Sequence, residues 1–153
     1  MLETPHVAFG AAIAIKTGNP WIAIPLAFTS HFLLERVPHW NPHLNTEMKK
    51  YGKLTNTTKL VIGIDLVSAI CLSIFLAQTQ SPNNLLVFNV LASSFASILP
   101  DLMEGPYFFL GMRGKFLTWW LKSQKALQVD ASPFWGLLTQ AVTILLSLYW
   151  IFN

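Results

Sequence analysis

The chain has 153 residues, of which 53% are hydrophobic and 11% are charged, and its formal net charge at pH 7 is +3. Its mean hydropathy of +0.48 is too high, and its share of charged residues too low, for an ordinary soluble domain of this length. These values predict a single all-α integral membrane domain that covers residues 1–153. The presence of one cysteine excludes an intrachain disulfide and a thiolate metal cluster.

The first two apolar segments predict a helical hairpin. A helix begins at Thr4, which is followed by proline at the first helical position, and runs to about Ile15. A turn over residues 16–20 leads into a second apolar helix, which runs from about Pro20 to Val37 and is stopped by the proline that follows. We expect this hairpin either to cross the membrane or to re-enter it.

Three longer apolar segments follow, over residues 57–78, 85–104 and 134–152. A length of ~20 residues suits a hydrocarbon core ~30 Å thick. Between the second and the third, lysines alternate with large apolar residues from Arg113 to Gln128, which is typical of an amphipathic helix in the headgroup region. The chain therefore predicts a compact bundle of about five transmembrane or re-entrant helices plus one interfacial amphipathic helix.

The basic residues predict an orientation. If the spans alternate, nine of the 10 Lys and Arg residues lie on one side of the membrane, and only Lys16 lies on the other. The positive-inside rule then places the loop at residues 38–56 and the amphipathic helix in the cytoplasm, with the C-terminus outside a bacterial-type inner (plasma) membrane. Because the basic residues border apolar segments and form no compact patch, we expect membrane lipids as partners and no nucleic acid. A bundle this small can also form a homodimer.

Ionisable side chains accumulate inside or beside these apolar segments, where they are costly unless they pair with one another or hold a cation. The alternation of the spans places all of these side chains in the cytoplasmic half of the membrane. His31 and Glu35 are four residues apart, and Asp101 and Glu104 three apart, so each pair shares a helix face. We therefore expect one shared site. The candidate metal ligands are His6, His31, Glu35, His39, Asp65, Asp101 and Glu104.

This donor set predicts hydrolytic chemistry. Imidazole nitrogen and carboxylate oxygen without thiolate suit zinc or manganese, and also iron, and the number of carboxylates can support one or two ions. A divalent ion lowers the pKa of bound water, and a spare carboxylate, Glu35 or Glu104, would act as general base. A site at the membrane face favours an amphiphilic, lipid-like substrate with an ester or a phosphoester bond.

Two other functions are compatible with the same residues. In a scaffold, the polar side chains would only form interhelical hydrogen bonds, and Asp65 would pair with Arg36 or Lys59. In a transporter for metal ions or small solutes, the cluster would be a transit site, and a conduction path would need polar groups in the outer half as well. Candidates for such groups are Asn89, Ser93, Ser94, Ser97, Thr139 and Thr143.

Three segments, TPHVAFGAAIA, SHFLLERVPHWN and ILPD, together resemble a known family. They are similar to the YdjM-like small inner-membrane proteins, described as membrane-bound metal-dependent hydrolases, and the resemblance covers roughly the first 105 residues. The chain departs from that pattern at Glu35, where aspartate is expected, and at Met103-Glu104, where an Asp-His type of continuation is common. The resemblance implies metal-site positions at His6, His31, Glu35, His39 and Asp101.

Overall fold

The computed structural model describes all residues from Met1 to Asn153, and its regular elements are helices without any strand. This confirms the predicted all-α fold. The eight helices are α1 (Glu3–Thr17), α2 (Pro20–Leu34), α3 (Leu44–Tyr51), α4 (Asn56–Gln78), α5 (Asn84–Leu102), α6 (Gly105–Phe109), α7 (Lys115–Leu127) and α8 (Pro133–Phe152).

Three of these helices, α4, α5 and α8, are long and apolar enough to cross a membrane. The helices α1 and α2 have 15 residues each, so each extends about 22 Å, which is less than a hydrocarbon core of ~30 Å. The predicted count of about five spans is therefore not confirmed. The α1–α2 hairpin packs against α5, and α1 also contacts α4 and α8.

The outward faces of the long helices fit a membrane protein. Large apolar side chains are exposed along the whole length of α4, and soluble proteins rarely expose contiguous apolar patches of this size. The exposed side chains on α4 are Leu60, Ile64, Val67, Ile70, Ile74 and Phe75.

The centre of the bundle is α1, whose small residues allow its neighbours to approach closely. Ala8, Ala11 and Ala12 are completely buried. A Cβ atom added at Gly10 would lie 2.9 Å from the backbone oxygen of Ser93 and 2.9 Å from Cβ of Ser97. Only glycine therefore permits this contact between α1 and α5, as is common where membrane helices pack through small residues.

The helix ends differ from the predicted ends in two places near the site. The first helix begins at Glu3, with Leu2 at the N-cap, so Thr4 does not cap it. The second ends at Leu34 rather than Val37, and Glu35 occupies its C-cap. Glu35 therefore lies where the chain leaves the helix.

The segment predicted as a long loop at residues 38–56 contains α3. Glu47 on α3 accepts hydrogen bonds from the backbone of Thr55 at 2.8 Å and from Oγ1 of Thr58 at 2.7 Å. These bonds join α3 to the first turn of α4 and lower the pKa of Glu47, because they stabilise its charged form. The short helix α6 was also not among the predicted elements.

The predicted amphipathic helix is present as α7. Phe116 and Trp119 are exposed, whereas Leu121 and Gln124 are buried against the bundle. Trp120 does not face outward fully, because its Nε1 donates a hydrogen bond to the backbone oxygen of Pro100 at 3.0 Å. That bond attaches α7 to the end of α5, beside the polar cluster.

Candidate metal centre

Four of the predicted ligands meet at one point: His6 from α1, His31 from α2, Glu35 from the C-cap of α2, and Asp101 from the last turn of α5. Each offers one ligand atom, and these atoms all lie within 4.8 Å of one another. The side chains of His6, His31 and Glu35 are 0–1% exposed, and that of Asp101 is 20% exposed. These four residues, called the candidate metal centre below, can hold a metal ion.

Local helix geometry explains why these side chains converge. His6 lies one turn before Gly10, on the face of α1 that approaches α5 most closely. His31 and Glu35 are four residues apart at the end of α2, and α2 also packs against α5. Because α5 ends at Leu102, it brings Asp101 to the same level.

Two of the distances within the centre are close to those between the ligands of a small divalent ion, and all four ligand atoms lie within 4.8 Å of one another. His6 Nε2 lies 3.4 Å from Glu35 Oε1, and His31 Nε2 lies 3.5 Å from Asp101 Oδ1. Tetrahedral bonds of ~2.0–2.1 Å to nitrogen and oxygen place neighbouring ligand atoms about 3.3–3.4 Å apart. A set of two imidazoles and two carboxylates suits zinc, and also manganese or iron.

Hydrogen bonds place the free lone pair of the His31 ring on Nε2. Nδ1 lies 2.9 Å from the backbone oxygen of Ser97, which can only accept, so Nδ1 carries the proton. Nε2 can therefore bind a cation, and the amide of Gln124, which donates to Nε2 at 3.2 Å, would have to release it. A carbonyl that fixes the tautomer of a histidine is the usual support behind a metal ligand.

Several buried atoms of the centre have no hydrogen-bond partner. Both ring nitrogens of His6 and the Oε2 atom of Glu35 are in this condition. The His6 ring stacks on the His31 ring with centroids 4.2 Å apart, and the amino group of Met1 contacts Glu35 Oε1. An unsatisfied buried polar group costs about 1–3 kcal/mol, so a cation bound here would offset a considerable free energy.

His39 approaches the centre without joining the four-residue group. Its Nδ1 donates to the backbone oxygen of Val37 at 2.7 Å, and its Nε2 lies 3.7 Å from Oε2 of Glu35. Burial lowers the pKa of His39 to about 4, so the ring is neutral at pH 7. Because the proton is on Nδ1, Nε2 of His39 can only accept, and Asn41 donates a hydrogen bond to it at 3.3 Å.

The connection between α7 and α8 holds this part of the loop in place. His39 forms an isolated parallel bridge with Asp130, in which its backbone N–H donates to Val129 at 3.0 Å and its oxygen accepts from Ala131 at 2.9 Å. A Cβ atom added at Gly136 on α8 would lie 2.6 Å from Cβ of Trp40. The close contact at this glycine fixes the loop that carries His39.

Asp65 lies near the centre but has a different set of partners. It accepts hydrogen bonds from the backbone of Glu3 at 2.5 Å and from the backbone and hydroxyl of Thr4 at 3.2 and 2.6 Å. These are the free N–H groups of the first turn of α1, which no N-cap side chain of α1 satisfies. Asp65 therefore anchors the start of α1 to α4.

Glu104, at the N-cap of α6, lines a cavity of about 330 Å³ that opens beside the centre. Asp101 lines the same cavity, so the two share one space. Burial, and then the negative charge of Asp101, raise the pKa of Glu104 to about 8. A carboxyl group in this position can exchange a proton near neutral pH.

Five of the six polar residues that were candidates for the outer half are hydrogen-bonded, and two of them, Ser97 beside His31 and Thr139 beside Pro38, lie on the side of the centre instead. Asn89 donates to the backbone oxygen of Ala14 at 3.0 Å, and Ser93 donates to Asn89 at 3.3 Å. Ser97 donates to the backbone of Ser94 at 2.7 Å, and Thr139 and Thr143 bond within α8 or to the loop. The hydroxyl of Ser94 is buried without a hydrogen-bond partner.

Sequence reasoning missed two glutamines that support the centre. Gln124 donates to His31, and Gln140 accepts from the backbone of Leu2 at 2.7 Å while donating to that of Trp40 at 2.9 Å. At both positions the sequence pattern indicated a buried polar side chain. Gln124 lies three residues after Leu121 on the inner face of an amphipathic helix, and Gln140 lies inside an apolar span.

Comparisons of the chain with family models, with curated proteins and with solved structures gave no match. The resemblance to the YdjM-like family stays a prediction from the three sequence segments.

Proposed function

We propose that this protein is a membrane-bound metal-dependent hydrolase that cleaves an ester or phosphoester of an amphiphilic, lipid-like molecule at the cytoplasmic face of the membrane. The observation that carries the proposal is the candidate metal centre, with two imidazoles and two carboxylates within 4.8 Å of one another beside a cavity. Buried atoms without partners on His6 and Glu35 support a bound cation.

The residues divide into ligands and a base. His6, His31, Glu35 and Asp101 would hold one divalent ion, zinc or manganese being the leading candidates. When bound, such an ion supplies positive charge that acidifies water and neutralises charge on the ester oxygen. A second ion would need further donors, for which Glu104 and His39 are the nearest predicted residues.

Glu104 would act as general base, because it lines the cavity and is not one of the four ligands. Its carboxylate takes a proton from the attacking water, and the oxygen of that water forms a new bond to the phosphorus or the carbonyl carbon. The bond to the alkoxide breaks, and Glu104 returns the proton to the alkoxide. One water is consumed, and one acid and one alcohol are released.

The position of the centre supports an amphiphilic substrate. The cavity lies where α4 and α5 meet α6 and α7, and α4 carries an exposed apolar face. Exposed Trp119 and Phe116 on α7 fit a helix that rests in the headgroup region. A substrate would keep its tail in lipid while its polar head reaches Asp101.

The first test is elemental analysis of gently extracted protein, followed by assay of a panel of lipid esters and phosphoesters. We expect about one divalent ion per chain in the wild type. Glu35→Gln and Asp101→Asn should lose both the metal and the turnover. Protein without stoichiometric metal would favour a scaffold, and bound metal with ion flux in proteoliposomes but no turnover would favour a transporter.

The second test separates the base from the ligands. Glu104→Gln should retain the metal while kcat falls about 10²–10⁴-fold, the range lost when a general base is removed. Glu47→Gln is the matched control, because Glu47 lies on α3 outside the cavity that Glu104 lines. Loss of metal from Glu104→Gln would instead make Glu104 a ligand.

A further inference from the structure

The cavity beside the candidate metal centre has a lining whose chemistry identifies an occupant. It lies between the start of α1, the loop after α2, α4, the end of α5, α6 and α7, and its volume is about 330 Å³. Small-molecule sites have volumes of ~300–1,000 Å³. Asp101 lines the cavity and is also part of the centre, so an occupant can reach the centre at that residue.

Two carboxyl groups on the cavity wall have no cation beside them. Asp65 is bound to the start of α1, and Asp130 is paired with Lys125 at 2.7 Å. Lys125 is therefore neutralised, and the amino group of Met1 contacts Glu35. Glu3 and Glu104 have no such partner, and because burial raises the pKa of Glu104 to about 8, its carboxyl group is mostly uncharged at pH 7. A cation that entered the cavity would favour the ionised form of both groups, so the lining fits a positively charged occupant.

Two residues that line the cavity, Glu3 and Asn41, each carry a buried oxygen without a hydrogen-bond partner. These atoms are Oε2 of Glu3 and Oδ1 of Asn41. The orientation of the Asn41 amide follows from its neighbours, because His39 donates through Nδ1 to Val37 and so must accept at Nε2 from the Asn41 amide nitrogen. The occupant must therefore donate hydrogen bonds as well as carry positive charge.

The remaining wall is apolar and belongs to helices that carry exposed apolar surface. Ile62 and Leu66 come from α4, and Leu102 and Phe109, which are 38% and 54% exposed, come from α5 and α6. An acyl chain can contact these residues while the polar end of the same molecule lies against Glu3. The wall of the cavity therefore carries both polar and apolar side chains.

We propose that the cavity binds the headgroup of an amphiphile with a primary ammonium close to its ester, the chemistry of an ethanolamine phospholipid, with Glu3 and Asn41 accepting its N–H groups. This inference rests on the proposed function, because it names the substrate class of the same site. A quaternary ammonium offers charge without N–H donors, and a glycerol headgroup offers donors without charge. Both should bind less well.

The test is competition between lipids for the purified wild-type protein in detergent. Phosphatidylethanolamine, its N-methyl and N,N-dimethyl derivatives, phosphatidylcholine and phosphatidylglycerol, all with the same acyl chains, are offered in equal amounts, and bound lipid is measured by native mass spectrometry. We expect about ten times more phosphatidylethanolamine than phosphatidylcholine or phosphatidylglycerol to be retained. The amount retained should fall stepwise as methyl groups are added to the ammonium. This comparison uses only the wild-type protein. Equal retention along the series would overturn the inference.

Two variants assign the effect to the cavity wall. Glu3→Gln should reduce the preference for phosphatidylethanolamine over phosphatidylcholine to near unity, because it removes the charge and keeps the shape. Glu47→Gln makes the same chemical change outside this cavity and should keep the full preference. A Glu3→Gln protein that retains the wild-type preference would overturn the assignment.

Turnover of the same lipids by zinc- or manganese-loaded protein separates this inference from the proposed function. Preferential retention of phosphatidylethanolamine without hydrolysis of any lipid would support the cavity assignment and overturn the hydrolase. Hydrolysis of all the lipids at equal rates, with equal retention, would support the hydrolase and overturn the cavity assignment.

Discussion

The two ends of the bundle are built from the same helices, but burial stabilises one end and destabilises the other. At the end away from the centre, α1 packs small and apolar residues of its second half against Leu76, Val90 and Ile151. At the other end, α1 and α5 bury His6 and Asp101 beside imidazole and carboxylate groups with unpartnered atoms. The apolar end stabilises the fold, and the polar end is costly until its groups are satisfied. The difference indicates that function is concentrated at one end.

The largest expected effects come from one truncation at each end. Leu76→Ala removes a completely buried side chain at the apolar end and should lower the free energy of unfolding by about 2–5 kcal/mol with the metal retained. His6→Ala should abolish stoichiometric metal and destabilise the metal-free protein less than Leu76→Ala, because removal of two unpartnered ring nitrogens offsets part of the cost of the cavity left by the buried ring. Elemental analysis and denaturant unfolding measure the two quantities. If His6→Ala retained the metal, the contrast between an apolar end that stabilises the fold and a polar end that binds metal would be wrong.

The contact between α1 and α5 links the two ends, and Gly10→Ala tests it. The new methyl group would lie 2.9 Å from Ser93 and Ser97, so we expect a loss of about 1–3 kcal/mol from overpacking and weaker metal binding as His6 moves away from α5. Gly63→Ala is the control, because a Cβ atom there meets nothing within 4 Å. That control should be neutral or slightly stabilising. Equal stability of the two variants would show that the contact is not tight.

Asp65→Ala distinguishes support of the fold from metal binding. The carboxylate caps the first turn of α1 through Glu3 and Thr4, so its loss should cost about 0.5–2 kcal/mol, as for other helix caps. The number of ions bound per chain should stay at the wild-type value, measured at saturating metal. A loss of bound ions equal to that in Asp101→Asn would instead make Asp65 a ligand.

The smallest effect concerns the contact between α3 and α4, away from the centre. Hydrogen bonds from Thr55 and Thr58 lower the pKa of Glu47 from 4.5, so its contribution to stability is present above pH 4.5 and is lost as the pH falls through the lowered value. The protection factors of the amides in the first turn of α4, which are corrected for the intrinsic pH dependence of exchange, should therefore fall below pH 4.5 in the wild type. In Glu47→Gln these protection factors should not change with pH in that range.

Periodicity and composition predicted most of the helices, because long apolar stretches and prolines act locally. The five predicted apolar segments and the amphipathic helix all end within a few residues of the observed helix ends. The count of about five spans did not follow, because hydropathy does not separate a 15-residue helix packed inside a bundle from a membrane span. The helix α3 was missed because its residues are polar and its stability depends on contacts with α4.

For the site, residue type and depth were sufficient to choose candidates but not to divide their roles. Spacing along a helix placed His31 beside Glu35, and alternation of spans placed His6 and Asp101 at the same level. The separate environments of Asp65 and Glu104 depend on where two other helices begin, which no local pattern contains. Glu3, outside the predicted set, lines the cavity for the same reason.

The sequence by itself determined that this is a helical, membrane-type chain whose imidazoles and carboxylates are too costly to bury without partners, because hydropathy and ionisation are properties of the residues. Only the tertiary structure decided which of them meet. That choice is made by the approach of α1 to α5 at Gly10 and by the helix ends at Glu35 and Asp101, and distances between helices arise from packing over the whole bundle.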